Sequence, residues 1–170
     1  EGCAATANTA EGIYAGPGSR IEDCVVRQNW GGVTSEGGCS IRRLTVFGNS
    51  LNGIEAGIGD TVADCTLRSN GIAGIRVPND CVILRNTVTF NGQDTLGGPG
   101  IQVDIVGNRI EGNHVIYNDI GIFVSNGLNV IIGNTARYNG ITNFSIVAGN
   151  VLGPVTNAAD TANPLANFSF

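Results

Sequence analysis

The sequence predicts an all-β solenoid of about seven coils with three short strands per coil, closed by an irregular C-terminal cap. Three observations predict it. A glycine opens and an asparagine closes a unit that recurs about every 21 residues. Inside each unit, β-branched residues recur two apart in short runs, which is strand spacing and not helix spacing. Gly, Asn, Asp and Pro separate those runs as turn residues.

The units open at Gly12, Gly32, Gly53, Gly74, Gly100 and Gly121 and close at Asn29, Asn49, Asn70, Asn91, Asn118 and Asn139. The first strand of each carries Ile13, Val33, Ile54, Ile75, Ile101 and Ile122, then Ala15, Ser35, Ala56, Val77, Val103 and Val124 two places on. The second strand carries Ile21, Ile41, Val62, Ile83, Ile110 and Ile131, and the third Val26, Val46, Leu67, Val88, Val115 and Ala136. Each strand then pairs with its equivalent one unit away, about 4.8 Å along a common axis. One unit cannot bury its own inward face, so the stack is stable only collectively.

The closing Asn is placed at a tight bend, where Asn tolerates left-handed backbone angles. Its amide can bond the equivalent Asn above and below, as in the ladders of stacked sheets. A second corner column reads Cys24, Leu44, Cys65, Asn86, Asn113 and Asn134, and Cys3 precedes it by one unit. On this reading residues 1–155 form the repeat domain, with an incomplete first coil, and residues 156–170 form a tail or cap. A further column, Asp23, Arg43, Asp64 and Arg85, alternates charge on successive coils and avoids like-charge stacking. His114, the one histidine, interrupts a column of Thr45, Thr66, Thr87 and Thr135 and reads as a solvated position.

Composition narrows the function. Nine Arg, no Lys and fourteen acidic residues give a formal charge of −5, which argues against nucleic acid as a partner. No apolar run reaches the ~18–20 residues that span a membrane as a helix. Five Cys without a CxxC pair, and one His, leave no metal-ligand pattern, so no cofactor is expected.

The units "GIRVPNDCVILRNTVTFN" and "GIQVDIVGNRIEGNHVIYN" resemble the repeats of right-handed parallel β-helix proteins, the pectate-lyase-like superfamily. That superfamily includes pectate and alginate lyases, polygalacturonases, mannuronan epimerases, phage tailspikes and many secreted or surface proteins. The resemblance implies a right-handed parallel β-helix, a secreted or cell-surface location, and a substrate groove along the outward face of the first strands.

On that face, alternation places Tyr14, Thr34, Glu55, Arg76, Gln102 and Phe123 in one column and Glu36, Pro78 and Asp104 in the next. A polyuronate lyase needs a base and a cation that neutralises the substrate carboxylate. Arg76 as base, with Glu55, Asp104 and Glu36 around it, is the catalytic candidate, and Ca²⁺ enters only in that case. Glu36, Gln102, Tyr14 and Phe123 are the ligand-binding candidates. The competing reading makes Glu55 and Arg76 a cross-strand ion pair with no chemistry. The insertion "GQDTLGGPG", from Gly92 to Gly100, reads either as a functional loop beside this face or as a tolerated surface loop.

Val82, Leu84, Ile116, Val130 and Ile132 fall on outward positions and make an apolar face suited to self-association into a homo-oligomer. Phe90, Tyr117 and Tyr138 align just before the Asn column, and "NPLANFSF" supplies an apolar end cap. The cysteines read as a buried thiol stack, in which parallel neighbours point alongside one another; Cys3 and Cys24, on adjacent coils, are alone close enough for the alternative reading, a disulfide. Three functional readings follow: a non-catalytic extracellular scaffold that binds polysaccharide or self-associates, a small polysaccharide lyase or epimerase, and a stalk module of a phage fibre or adhesin.

Overall fold

The inward Ile and Val columns lie over one another in three parallel sheets. A computed structural model describes residues 2–92, 96–157 and 162–170, and among them there is no helix. Sheet I begins with Ala4–Thr6 and runs through Val25–Arg27, Thr45–Phe47, Thr66–Arg68, Thr87–Thr89, His114–Ile116 and Thr135–Arg137. Sheet II contains Glu11–Ala15, Gly31–Ser35, Ile54–Glu55, Ile75–Val77, Pro99–Val103, Ile120–Val124 and Thr142–Ile146. Sheet III runs from Arg20–Glu22 through Ser40–Arg42, Thr61–Ala63, Val82–Leu84, Arg109–Glu111 and Val130–Ile132 to Val151–Leu152. The protein is a parallel β-helix of about seven turns.

The register is the one the repeat demands. Ile54, Ile75, Ile101 and Ile122 pair in succession, and all are fully buried. Ile41, Val62, Ile83, Ile110 and Ile131 do the same in sheet III. Each such side chain contributes about 1.5–3 kcal/mol of burial, and it contributes only when a neighbouring coil covers it.

Each corner is built from two residues in order. The first has left-handed backbone angles, and the second turns its side chain inward. At the corner leading into sheet II the left-handed residues are Ala7, Gln28, Gly48, Ser69, Phe90, Tyr117 and Tyr138. The Asn that follows each of them is not left-handed, which corrects the sequence expectation. The preceding residue makes the bend so that the amide can point into the core. There Asn29, Asn49, Asn70, Asn91, Asn118 and Asn139 form a continuous ladder. Each Oδ1 accepts from the Nδ2 of the Asn one coil earlier, as Asn70 does from Asn49 at 2.9 Å. The opening glycine has its reason here too. A Cβ on Gly53 would stand 2.7 Å from Asn70 Nδ2, and one on Gly121 2.8 Å from Asn139 Nδ2.

The second ladder links Asn86, Asn113 and Asn134 and continues to Asn167. A third, unread in the sequence, joins Asn108, Asn129 and Asn150 on the corner before sheet III. Its earlier members are Cys39, Asp60 and Cys81, whose backbone N–H groups continue the pattern at Cys39 to Asp60 (2.7 Å) and Cys81 to Asn108 (2.9 Å). Cysteine substitutes for ladder Asn by a specific geometry. The Cys65 thiol donates to Ala63 O and Ile41 O, two and 24 residues back, just as Asn134 Nδ2 donates to Ile132 O and Ile110 O.

The end of the chain departs from chain order. Asn167–Ser169 enters sheet I between Thr135–Arg137 and Val155–Thr156, parallel to both. Asn167 is fully buried in the second ladder. Residues 158–161 lie outside the described residues, as do residues 93–95 of the insertion.

Candidate functional site: the outward face of sheet II

The outward residues of sheet II sort into two polar groups. On the first two coils, Tyr14 Oη donates to Glu36 Oε1 at 2.5 Å, and this bond raises the tyrosine pKa above its ordinary value. Tyr14 is 63 % exposed, so its ring offers an open apolar surface held by its hydroxyl.

The second group is a chain of hydrogen bonds across three coils. Asn52 Nδ2 donates to Glu55 Oε2 at 2.7 Å. Arg76 Nη1 donates to Glu55 Oε1 at 3.3 Å, and Arg76 Nε donates to Asp104 Oδ2 at 2.8 Å. Gln102 Nε2 closes the chain on Asp104 Oδ1 at 2.7 Å. The parallel register causes this arrangement, because Glu55, Arg76 and Gln102 are consecutive Cα partners. Asp104 stands two residues beyond Gln102, on the same face. A groove of about 230 Å³ is lined by Glu55, Ala56, Arg76, Pro78 and Asp104.

The electrostatics follow from that placement. The hydrogen bond that Arg76 donates to Asp104, and then the charges of Asp104 and Glu55, hold the Arg76 pKa above the ordinary arginine value. The guanidinium is therefore a fixed cation with a carboxylate on either side. Glu11, Glu36, Glu55 and Asp104 stand on or beside this face against Arg76, so its balance is acidic.

Of the sequence candidates, Glu55, Arg76, Asp104 and Gln102 come together. Tyr14 and Glu36 form a separate pair. Phe123 is the register partner of Gln102, half-buried beside the groove's far coil. Asn52 was missed: it precedes the strand and belongs to no repeat column that the sequence made visible. The described end of the insertion is tied to the following coil, where Gly97 N–H donates to Asp119 Oδ2 at 2.9 Å and Gly98 O accepts from Ile120 N–H.

Other expectations resolve on other faces. Val82, Leu84, Val130 and Ile132 share sheet III, but Arg109 and Glu111 pair between them and form an ion pair at 2.6 Å. Ile132 is buried, and Ile116 belongs to sheet I. The apolar face is thus divided, because the fifth coil carries charge at both outward positions. Phe90, Tyr117 and Tyr138 stack on one another with ring centroids 4.9 and 5.4 Å apart, so their faces are turned to each other. Arg137 lies between Tyr138 and Phe170 and joins the last strand to the row. Arg43 pairs with Asp23 at 2.7 Å and Arg85 with Asp64 at 2.8 Å, as the alternating column implies. His114 stands between Thr87 and Thr135 and is half-buried. The Cys3 and Cys24 thiols point toward each other and not alongside, and Cys3 is exposed.

A parallel stack of coils with a polar groove on one outward sheet defines a pectate-lyase-like β-helix. The chain belongs to the family described as periplasmic copper-binding protein (NosD), whose model matches residues 58–157. Two solved structures are similar in fold. The pectate lyase Pel9A matches with a TM-score of 0.72 and 18% identity, over 86% of this chain and 46% of that one. The A-module of the mannuronan C-5 epimerase AlgE6 of Azotobacter vinelandii matches with a TM-score of 0.62 and 16% identity, over 96% of this chain and 55% of that one. The chain spans about half the length of these two structures. No curated protein matches it by sequence. No helix of the described residues is long and apolar enough to cross a membrane.

Proposed function

We propose that the protein is a non-catalytic β-helix scaffold outside the cytoplasm, and that the outward face of sheet II binds polysaccharide. The observation that carries this reading is the clamping of Arg76 between Glu55 and Asp104. A base must give up its own proton first, and two adjacent carboxylates oppose that loss. The same carboxylates are engaged by Arg76, Asn52 and Gln102. What remains is a rigid row of donors and acceptors at the coil spacing, with the Tyr14 ring at one end and Phe123 beyond the other. Its acidic balance favours a neutral polysaccharide over a polyuronate, which the face repels.

The family description supports a place outside the cytoplasm. The copper in that description does not fit the donors of this chain. Copper takes Cys, His and Met ligands. The sequence has no Met, one His and five Cys; among the described residues no three His, Cys, Asp or Glu converge as ligands, and the adjacent thiols of Cys3 and Cys24 bring their sulfurs to 2.7 Å, closer than two thiolates that share a metal. The repeat body of residues 1–155 is proposed as the binding unit, with residues 156–170 fastening its last coil.

Affinity electrophoresis against soluble neutral and acidic polysaccharides tests the reading. Retardation by a neutral polymer, weakened in Tyr14→Ala and Arg76→Ala, is expected. Equal mobility in every gel overturns it.

A further inference from the structure

Cys3 and Cys24 occupy consecutive positions of the second ladder column. Ala4–Thr6 pairs in register with Val25–Arg27, and the Val25 N–H bonds Cys3 O at 2.8 Å, so the two cysteines are direct neighbours one coil apart. That coil step of about 4.8 Å lies inside the Cα separation a disulfide requires, about 4.4–6.8 Å. The three other thiols are occupied differently. Cys39, Cys65 and Cys81 each donate to two backbone carbonyls in the manner of a ladder amide. The Cys3 thiol instead meets Cys24 Sγ at 2.7 Å. Carbon atoms in van der Waals contact rest about 3.5–4 Å apart, and sulfur is a larger atom; bonded sulfurs stand about 2.05 Å apart. A shared metal ion with bonds of about 2.3 Å would hold two thiolates nearly 4 Å apart.

We propose that Cys3 and Cys24 form a disulfide that staples the first coil to the second. The oxidant is an external disulfide. The Cys3 thiolate attacks it, forming a mixed disulfide and expelling one thiol. The Cys24 thiolate then attacks the Cys3 sulfur and expels the second. Two protein thiols thus lose two electrons and two protons, the external disulfide is reduced to two thiols, and one S–S bond replaces another. No other pair competes. Leu44 separates Cys24 from Cys65, and Asp60 separates Cys39 from Cys81, each at two coil steps or about 9–10 Å. The bond closes a loop over the whole first coil, which restricts the unfolded chain. The inference stands apart from the polysaccharide reading, since the two cysteines take no part in the sheet II groove.

The test equilibrates the purified protein with oxidised glutathione, denatures it, and alkylates the free thiols. Three alkylated cysteines before reduction and five after it are expected, together with a cross-linked peptide that contains Cys3 and Cys24. Reduction should lower the melting temperature by several degrees in the wild type and leave Cys3→Ala unchanged. Cys24→Ser serves as a second variant with the same expectation. Five alkylated cysteines in the oxidised sample overturn the proposal. So does a Cys3–Cys24 pair that retains one equivalent of Cu(I) with both thiols unbonded, which would make it a soft-metal site instead.

Discussion

Asn113 Oδ1 accepts two hydrogen bonds from Asn86, one from its backbone N–H at 2.9 Å and one from Nδ2 at 3.0 Å. Asn113 in turn donates to Ile83 O and Asn134 Oδ1, both at 3.0 Å. One side chain therefore settles four polar groups that the solenoid hides from water. Asn113→Ala should lower stability by about 2–4 kcal/mol, because unmet buried donors and acceptors cost about 1–3 kcal/mol each. Asn113→Asp should be no better, since a carboxylate cannot donate to Ile83 O. Chemical denaturation measures both, and a change under about 0.5 kcal/mol in either contradicts the ladder's role.

Cysteine in the same column makes a complementary prediction. Cys65 donates to the two carbonyls a ladder amide would meet, and its backbone N–H already bonds Asn86 Oδ1 at 2.9 Å. Cys65→Asn should be neutral or stabilising, within about 1 kcal/mol of wild type. Cys65→Val, which donates nothing, should cost about 1–2 kcal/mol. The reverse order in thermal melts would mean that packing and not hydrogen bonding governs the corner.

On sheet II the prediction separates function from stability. Arg76 is 42% exposed at its side chain and its ion pairs face water, so each is worth under about 1 kcal/mol. Arg76→Ala should shift the denaturation midpoint little, while weakening polysaccharide binding severalfold. Loss of folding in this variant would mean that the clamp is structural and would remove its claim as a binding group.

His114 gives a pH dependence with a definite sign. Burial, and then the charge of Arg137, lower its folded pKa below the ordinary value of 6.5. The unfolded chain therefore binds the proton more readily, and stability falls as pH drops through and below about 6.5. His114→Thr, which restores the residue found at Thr87 and Thr135, should abolish that part of the slope. Parallel melting curves for the two proteins between about pH 7 and 5 would contradict it. Below this range the lowered pKa values of Asp23 and Asp64, set first by Arg43 and Arg85, act in the same direction. Their stability is present above the ordinary Asp pKa of 3.8 and is lost as pH falls through the lower folded value.

The inward columns were legible because their function tolerates few residue types. Ile54, Ile75 and Ile101 fill the same space on successive coils, and only an apolar side chain does so. The first Asn ladder was legible for the same reason. The third was hidden because its early positions hold Cys39, Asp60 and Cys81, three residues of different chemistry that meet one geometric need. The left-handed residue was misplaced by one position, since Gln28, Ser69, Phe90 and Tyr138 share no chemistry with one another. The out-of-order strand at Asn167–Ser169 left no periodic signal, because a single strand has no repeat. At the candidate site, alternation along the strand placed Glu55, Arg76, Gln102 and Asp104 on one face. The hydrogen bond from Asn52 depends on a loop conformation that spacing alone does not encode.

Arg76 is proposed to be a clamped cation and not a base. Incubation with pectate and alginate in the presence of Ca²⁺, with ultraviolet absorbance of unsaturated sugar products as the readout, tests it most directly. No product is expected from either the wild type or Arg76→Ala. Product that accumulates with the wild type and disappears in Arg76→Ala would contradict it.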